Sequence, residues 1–256
     1  MDEKMINTKL PAVILAAGRG KRLGKLSEEQ PKPMTQIGEI SIIENLVGSL
    51  IKNKVKKIVL VTGYLHAVLE EHLQKFADKA ELIYVVNQDY DTTNNIYSLW
   101  LAKKYLSNGF YLFEADIFFE NKIMQRLLET SQENIMLVGK YDARMEGTVV
   151  EFDQNCLVNK MLLKKEQNDS TNYENKYKTV NFYKIGAKFV QDFFLKRLEQ
   201  HIEQKDLNSY YELIIEEAIT KGFTFYALTT QSHNWWEVDH QQDLAICKQM
   251  FGVEEL

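Results

Sequence analysis

The stretch AVILAAGRGKRLGKLSEEQPKP, residues 12–33, contains the first predicted strand and the first predicted ligand loop. Residues 12–17 are apolar without interruption, which is typical of a strand buried on both faces of a sheet. Further apolar runs alternate with segments of helical spacing: strands are expected at 56–63, 81–87, 109–116 and 134–141, and helices at 41–53, 65–76, 94–106 and 119–131. This alternation predicts an α/β fold with a mostly parallel central sheet and helices on both faces.

The pattern changes after residue 141. Three short apolar runs, at 148–152, 159–165 and 179–185, then predict a small antiparallel extension of the sheet. Helices are expected at 187–204, at 209–221 and after Asp239, and one more strand is expected at 222–228. Capping boxes are expected at Ser41 with Glu44 and at Ser209 with Glu212. Because composition does not shift along the chain and no linker rich in Gly, Ser or Pro interrupts it, residues 1–256 are expected to form a single domain.

Composition excludes several classes of protein. The net charge of -5 and the absence of a basic patch argue against nucleic acid as a partner. Two distant cysteines, Cys156 and Cys247, are too few for a disulfide framework or a zinc site. The charged residues 1–10 do not resemble a leader, and no apolar run reaches the roughly 18 residues that span a bilayer. We therefore expect a cytoplasmic protein without membrane insertion, and a homodimer remains open.

The loop that follows the first strand is unusually cationic. Gly18 and Gly20 allow the backbone to approach a ligand and to point N–H groups at an anion. The cations that surround these glycines are Arg19, Lys21, Arg22 and Lys25. Since ligands of open α/β sheets bind beyond the carboxyl ends of the strands, the loop predicts a cradle for a polyphosphate.

The glycine pattern alone leaves other interpretations open. A Rossmann dinucleotide site needs a third glycine where Leu23 stands, and residues 18–25 do not match a P-loop. A surface loop with solvated cations is the structural alternative.

The complete string is more specific. Leu15-Ala16-Ala17-Gly18-Arg19-Gly20-Lys21-Arg22-Leu23, followed by Pro31-Lys32-Pro33, resembles the signature of the nucleotidyltransferases that make nucleoside-diphosphate sugars and CDP-alcohols. Many members have a proline where this chain has Gly24. The resemblance implies a nucleotide-diphospho-sugar transferase-like, Rossmann-like fold. It implies that Arg22 binds the phosphates of the nucleotide and that Lys32 contacts the reacting phosphates. The further nucleotide-binding residues would be Leu15, Ala16, Ala17, Gly18, Gly20 and Lys25.

Two aspartates, Asp116 and Asp239, are candidate metal ligands. Each has a structural alternative, because Asp116 could turn the chain and Asp239 could cap the last helix together with Gln242. As a pair they match the metal-binding aspartates of the same family, one after the fourth strand and one in a late E-V-D before a helix. The resemblance thus implies a Mg²⁺ cofactor, which suits polyphosphate chemistry.

The stretch Asn94-Asn95-Ile96-Tyr97-Ser98 bears on the base and the acceptor. It resembles the cytidylyltransferases that act on phosphocholine and on 2-aminoethylphosphonate, which implies CTP as substrate and base contacts from Asn94, Asn95 and Ser98. A capped helix start is the structural alternative. Residues 145–153, 178–185 and 234–244 resemble the same group. Carboxylates or aromatic faces for an amine would come from Glu146, Tyr183, Trp236 and Glu237, although packing is the more common role for a pair of tryptophans.

The sequence therefore predicts a Mg²⁺-dependent cytidylyltransferase that acts on a small phosphonate or phosphate acceptor, with 2-aminoethylphosphonate expected first. The alternatives are a phosphocholine cytidylyltransferase, a sugar-1-phosphate nucleotidyltransferase, a non-catalytic nucleotide-binding subunit and a Rossmann oxidoreductase.

Overall fold

A large mixed sheet organises the protein, in a computed structural model that describes residues 9–253. The expectation about a leader falls mostly on residues 1–8, which lie outside that range, as do residues 254–256. The strands are β1 Ala12–Ala16, β2 Gln36–Ile37, β3 Ile40–Ser41, β4 Lys57–Thr62, β5 Glu81–Val86, β6 Phe110–Glu114, β7 Ile117–Phe119, β8 Ile135–Lys140, β9 Val149–Phe152, β10 Val158–Leu162, β11 Tyr177–Ile185, β12 Tyr226–Thr229 and β13 Trp235–Glu237.

Helices connect most of the strands. They are α1 Leu26–Glu29, α2 Ile42–Lys52, α3 His66–Leu73, α4 Asn95–Leu101, α5 Asn121–Glu129, α6 Ala187–Phe189, α7 Leu195–Glu203, α8 Glu212–Thr220 and α9 Gln241–Met250. A π-helical turn, Val190–Phe194, joins α6 to α7. The helix expected at 187–204 is therefore present but contains an irregular turn.

The strand order of the large sheet is β10-β9-β11-β6-β1-β4-β5, and β8 pairs with both β11 and β12. The pairs β1–β4, β1–β6 and β4–β5 are parallel, whereas β11 is antiparallel to β6, β8 and β9. Two small antiparallel sheets, β7–β13 and β2–β3, lie outside it. The predicted fold class, a mostly parallel sheet with an antiparallel extension, is confirmed.

Both faces of the sheet are buried, as the apolar strands predict. Val13 and Leu15 of β1 belong to one apolar cluster with residues of α4, α7 and α8. Ala12, Ile14 and Ala16 belong to a second cluster with residues of α2, α3 and α5. Alternate side chains of one strand thus enter opposite layers of the core, and β1 lies at the centre with the cationic loop at its carboxyl end.

Some local predictions are wrong. Ser209 does not cap a helix, because α8 begins at Glu212 and the Ser209 hydroxyl donates to Asp206 Oδ2 at 2.7 Å. The box at Ser41 and Glu44 is confirmed, with both of its hydrogen bonds present. The short strands β7 and β13 were not predicted, since three-residue strands are too short to show a period.

None of the helices within residues 9–253 has the length and apolar character needed to cross a membrane.

Candidate active site

The cationic loop turns tightly after β1. Gly20 has φ 70°, a left-handed conformation that favours glycine, and a Cβ atom there would meet Lys32 Cβ at 2.6 Å. Leu23 is fully buried in a third apolar cluster with Trp236 and Val238, which anchors the loop. The loop and the Pro-Lys-Pro segment are therefore packed against each other.

Lys32 is the centre of the site. It begins a short 3₁₀ helix after Pro31, and its side chain is only 11% exposed. The ammonium Nζ lies 2.8 Å from Asp116 Oδ2 and 2.6 Å from Asp239 Oδ1. The guanidinium of Arg22 lies 2.9 Å from the same Asp239 oxygen. The two predicted catalytic cations and the two predicted metal ligands thus form one cluster.

The small β7–β13 sheet brings the two aspartates together. Asp116 lies between β6 and β7, and Asp239 follows β13. Ile117 pairs with Glu237, and the Val238 amide donates to the Asp116 carbonyl at 2.9 Å. Asp239 does not cap α9 with Gln242: the amides of His240 and Asp239 donate to Asp243 Oδ2, so the Asp239 carboxylate is left for the cations.

The electrostatics of this cluster favour its charged form. Burial tends to lower the pKa of the Lys32 ammonium, but the carboxylates of Asp116 and Asp239 outweigh burial and raise it. Burial also opposes ionisation of Asp239, and the adjacent Lys32 charge holds the pKa of that carboxyl below its usual value.

The donor set fits a hard divalent cation. Asp116 Oδ1 is buried and has no hydrogen-bond partner among residues 9–253. Carboxylate oxygens of Glu114, Asp116 and Glu237 also lie within 4.8 Å of one another. Oxygen donors of this kind are those that Mg²⁺ prefers. Asp116 and Asp239 could therefore hold the ion that the sequence implies.

A cavity of about 430 Å³ opens over the cationic loop. Ten of the predicted catalytic and nucleotide-binding residues line it: Leu15, Ala16, Ala17, Gly18, Gly20, Arg22, Lys32, Asn94, Asn95 and Ser98. The two predicted metal ligands, Asp116 and Asp239, also line it. Lys25 is exposed and lies outside the described lining. The loop, the helix start and the aspartates thus converge on one cavity.

The asparagine side chains that line this first cavity form hydrogen bonds with neighbouring polar groups. Asn94 caps α4, and its side chain accepts from the Asn95 amide at 2.8 Å. Asn87 was not predicted as a site residue, yet it is buried beside the cavity and its side-chain amide donates to Ser98 Oγ and Thr93 Oγ1, each at 3.1 Å. A polar residue at the carboxyl end of the third predicted strand was the signal that could have indicated it.

A second cavity, of about 400 Å³, adjoins the first. The residues common to both are Arg22, Asn95, Glu114, Asp116, Tyr210 and Asp239. The Lys32 cluster therefore lies where the two cavities meet, as a reaction centre between two substrates requires.

Two of the four predicted acceptor residues line the second cavity, and two do not. Glu146 and Glu237 are in its lining. Tyr183 is buried in the core, edge-on to Tyr211 with ring centroids 5.8 Å apart. Trp236 is buried in the third apolar cluster beneath the Arg144 guanidinium, 5.2 Å from its ring centroid. Tyr183 and Trp236 therefore pack in apolar clusters and lie outside the described lining of the second cavity, and their contribution to acceptor binding stays a prediction.

Sequence comparison agrees with this geometry. A family model described as nucleotidyl transferase matches residues 11–247. The chain belongs to the nucleotidyl transferase family. The Rossmann oxidoreductase alternative is thereby excluded, and the resemblance seen in the first loop is confirmed.

Relatives within the nucleotidyl transferase family include cytidylyltransferases. A CMP-5'-(3-aminopropyl)phosphonate synthase of Streptomyces rubellomurinus is 30% identical over 91% of this chain, and the chain spans only 37% of that relative's length. A CTP:phosphoglutamine cytidylyltransferase of Campylobacter jejuni is 24% identical over 92% of this chain and 98% of its own length. The solved CTP:phosphocholine cytidylyltransferase of Streptococcus pneumoniae shares the fold, with a TM-score of 0.79 at 20% identity, over 94% of this chain and 99% of that one.

Proposed function

We propose that this nucleotidyl transferase is a Mg²⁺-dependent cytidylyltransferase that transfers CMP from CTP to 2-aminoethylphosphonate and releases pyrophosphate. The observation that carries the proposal is the position of Lys32, between Asp116 and Asp239 at the junction of two cavities. A nucleotide in the first cavity and an acceptor in the second would place their reacting groups beside that cluster.

The chemistry follows from the charges. A triphosphate and a phosphonate dianion repel each other, so the site must supply positive charge where they meet. Lys32 and Arg22 would neutralise the reacting and the leaving phosphates. Bound Mg²⁺, held by Asp116 and Asp239, would supply further charge neutralisation and orientation. An acceptor oxygen then attacks the α-phosphorus in line, and no covalent enzyme intermediate is needed.

The preference for CTP rests on the polar side chains that line the first cavity and on the named relatives. Asn94, Asn95 and Ser98 line the first cavity with groups that donate and accept hydrogen bonds, as the edge of a base requires. The two relatives named for CMP or CTP support cytidine over other bases.

The second cavity favours a hydrogen-bonding ammonium over a trimethylammonium. Its described lining includes Glu114, Glu146, Glu212 and Glu237, whereas Tyr210 is the aromatic side chain within that described lining. A trimethylammonium donates no such hydrogen bonds from its nitrogen and binds best among several aromatic faces. The relative named for an aminopropylphosphonate product supports the same class of acceptor.

The test is a pyrophosphate-release screen of CTP, UTP, ATP and GTP against 2-aminoethylphosphonate, phosphocholine and a sugar 1-phosphate, with and without Mg²⁺. We expect release with CTP and 2-aminoethylphosphonate only when Mg²⁺ is present, and none when the acceptor is omitted. If the enzyme turned over phosphocholine in preference, phosphocholine would replace 2-aminoethylphosphonate as the proposed acceptor. Turnover of a sugar 1-phosphate with another nucleotide would replace the proposed reaction, and no turnover with any pair would favour a non-catalytic subunit.

A further inference from the structure

One wall of the second cavity carries three carboxyl groups and one lysine. Glu114, Glu212 and Glu237 line it together with one buried lysine, Lys178, whose side chain is 1% exposed. Lys178 Nζ lies 2.9 Å from Glu237 Oε2 and also donates to the Thr179 carbonyl at 2.8 Å. The lysine therefore compensates Glu237 directly.

Glu114 and Glu212 have only neutral hydrogen-bond partners within residues 9–253. Glu114 Oε1 accepts from the Tyr211 hydroxyl at 3.0 Å and from the Asn95 amide at 3.3 Å, and Oε2 accepts from the Asn181 amide at 3.5 Å. These contacts hold the Glu114 carboxyl group in place and bring it no positive charge.

Glu212 accepts fewer side-chain hydrogen bonds than Glu114 within residues 9–253. It is the first residue of α8, is only 8% exposed, and its Oε1 accepts from the Thr148 hydroxyl at 3.3 Å. Its Oε2 is buried and accepts no hydrogen bond from the described part of the chain. Because a buried carboxylate oxygen without a partner is costly, this atom indicates a missing donor.

The outer part of the same cavity has the opposite charge. Lys164, Lys165 and Arg22 line it and are exposed. A cavity with a buried acidic wall and an exposed basic rim is complementary to a short zwitterion. The positive end of such a ligand would enter first, and its negative end would stay beside Arg22 and the reaction centre.

We propose that Glu212, supported by Glu114, forms the subsite that binds the primary ammonium of the acceptor. This inference rests on the proposed function and departs from the sequence-based expectation, which assigned the amine to Glu237 or Glu146. The nitrogen would donate to the unpartnered Glu212 Oε2. Glu237 is already occupied by Lys178, and the Glu146 side chain is 66% exposed and lies 3.4 Å from Lys164 Nζ.

The position of this subsite limits the length of the acceptor. A carboxylate oxygen of Glu114 lies within 4.8 Å of one from Asp116, which belongs to the reaction centre. An ammonium that lies beside Glu114 would therefore be joined to the reacting phosphonate by a short spacer. Burial raises the pKa of Glu212, although the Lys178 charge opposes that effect, so a bound cation would relieve the same unfavourable energy.

The test compares kcat/KM for 2-aminoethylphosphonate and for ethylphosphonate, which lacks the amine, at saturating CTP and Mg²⁺. It uses wild type, Glu212→Gln and the control Glu216→Gln, which lies on the same helix and outside the described cavity lining. We expect Glu212→Gln to lower kcat/KM for the amine by about ten- to a hundredfold, mainly through KM, because hydrogen bonds to charged groups contribute on that order. Turnover of ethylphosphonate by Glu212→Gln should stay near the wild-type value, and the control should resemble wild type with both acceptors.

Four outcomes would overturn the assignment or its basis. If Glu212→Gln lowered kcat/KM equally for both acceptors, Glu212 would be a structural residue. If the variant needed more Mg²⁺ than wild type, Glu212 and Glu114 would be assigned to a metal site. If Glu212→Gln does not fold, wild type still decides: equal use of 2-aminoethylphosphonate, its N-trimethyl analogue and ethylphosphonate would exclude an ammonium subsite. Absence of pyrophosphate release from wild type with any of these acceptors would instead refute the proposed function itself.

Discussion

Replacing Lys32 with alanine should remove the charge that holds two carboxylates together. The ammonium lies 2.8 Å from Asp116 and 2.6 Å from Asp239, and the side chain is 11% exposed. Removing one partner of such a buried ion pair typically costs about 3–5 kcal/mol. Because Arg22 remains 2.9 Å from Asp239, we expect the lower end, about 3 kcal/mol. For a chain of this size that corresponds to a fall in Tm of about 6–12 °C.

The same substitution should reduce turnover far more than it reduces stability. Loss of one preorganised charge stabiliser typically lowers kcat by about a hundred- to a thousandfold. Thermal unfolding followed with and without Mg²⁺ adds a second readout, because a cation bound between the two carboxylates would replace the lost ammonium. We therefore expect Mg²⁺ to raise the Tm of Lys32→Ala by more than it raises that of wild type.

A matched control is Lys57→Ala, which removes an exposed ion pair, Lys57 Nζ to Glu81 Oε2 at 3.4 Å, away from both cavities. Exposed pairs contribute about 0–1 kcal/mol, so this variant should keep the wild-type kcat and nearly the wild-type Tm. The reasoning would be refuted if Lys32→Ala kept more than about half of the wild-type kcat.

Three further predictions concern the same site and its support. Asp116→Asn and Asp239→Asn should each weaken the Mg²⁺ dependence of kcat, and the double variant should be little worse than either single one because both act on one ion; multiplicative losses would show separate roles. Gly20→Ala should displace Lys32 and lower kcat, since φ at Gly20 is 70° and the new Cβ would lie 2.6 Å from Lys32 Cβ. The control Gly48→Ala in α2, where a Cβ meets nothing within 4 Å, should leave kcat unchanged and raise stability by about 0.5–1 kcal/mol. Equal effects of the two substitutions on kcat would contradict this account. Cys247 should resist alkylation in the native protein, because burial raises the pKa of its thiol to about 12; mass spectrometry should find one adduct, on the exposed cysteine, and a second only after denaturation.

The features that the sequence determined are local. The apolar run of β1 and the two glycines lie close together in the chain, so their spacing alone indicated a strand and a tight cationic loop. The role of Lys32 in the Pro-Lys-Pro segment came from the family resemblance. The capping box of Ser41 and Glu44 is equally local, and both of its hydrogen bonds are present. Family resemblance then paired Asp116 with Asp239, which no periodicity could have done.

The proposed acceptor side of the site was decided by tertiary structure. The sequence assigned Glu212 only to a capping box with Ser209, because its unpartnered oxygen arises from where α8 packs beside the sheet. Lys178 and Glu237 become partners only when β11 and β13 are both in place. Tyr183 was assigned to the acceptor because residues 178–185 resemble a family segment. The register of β11 against β8 shifts between Thr179 and Tyr183, and Asn181 within that interval has φ 58°. Since side chains alternate between the two faces of a strand, such an irregularity decides which face a later residue occupies, and Tyr183 lies in the core.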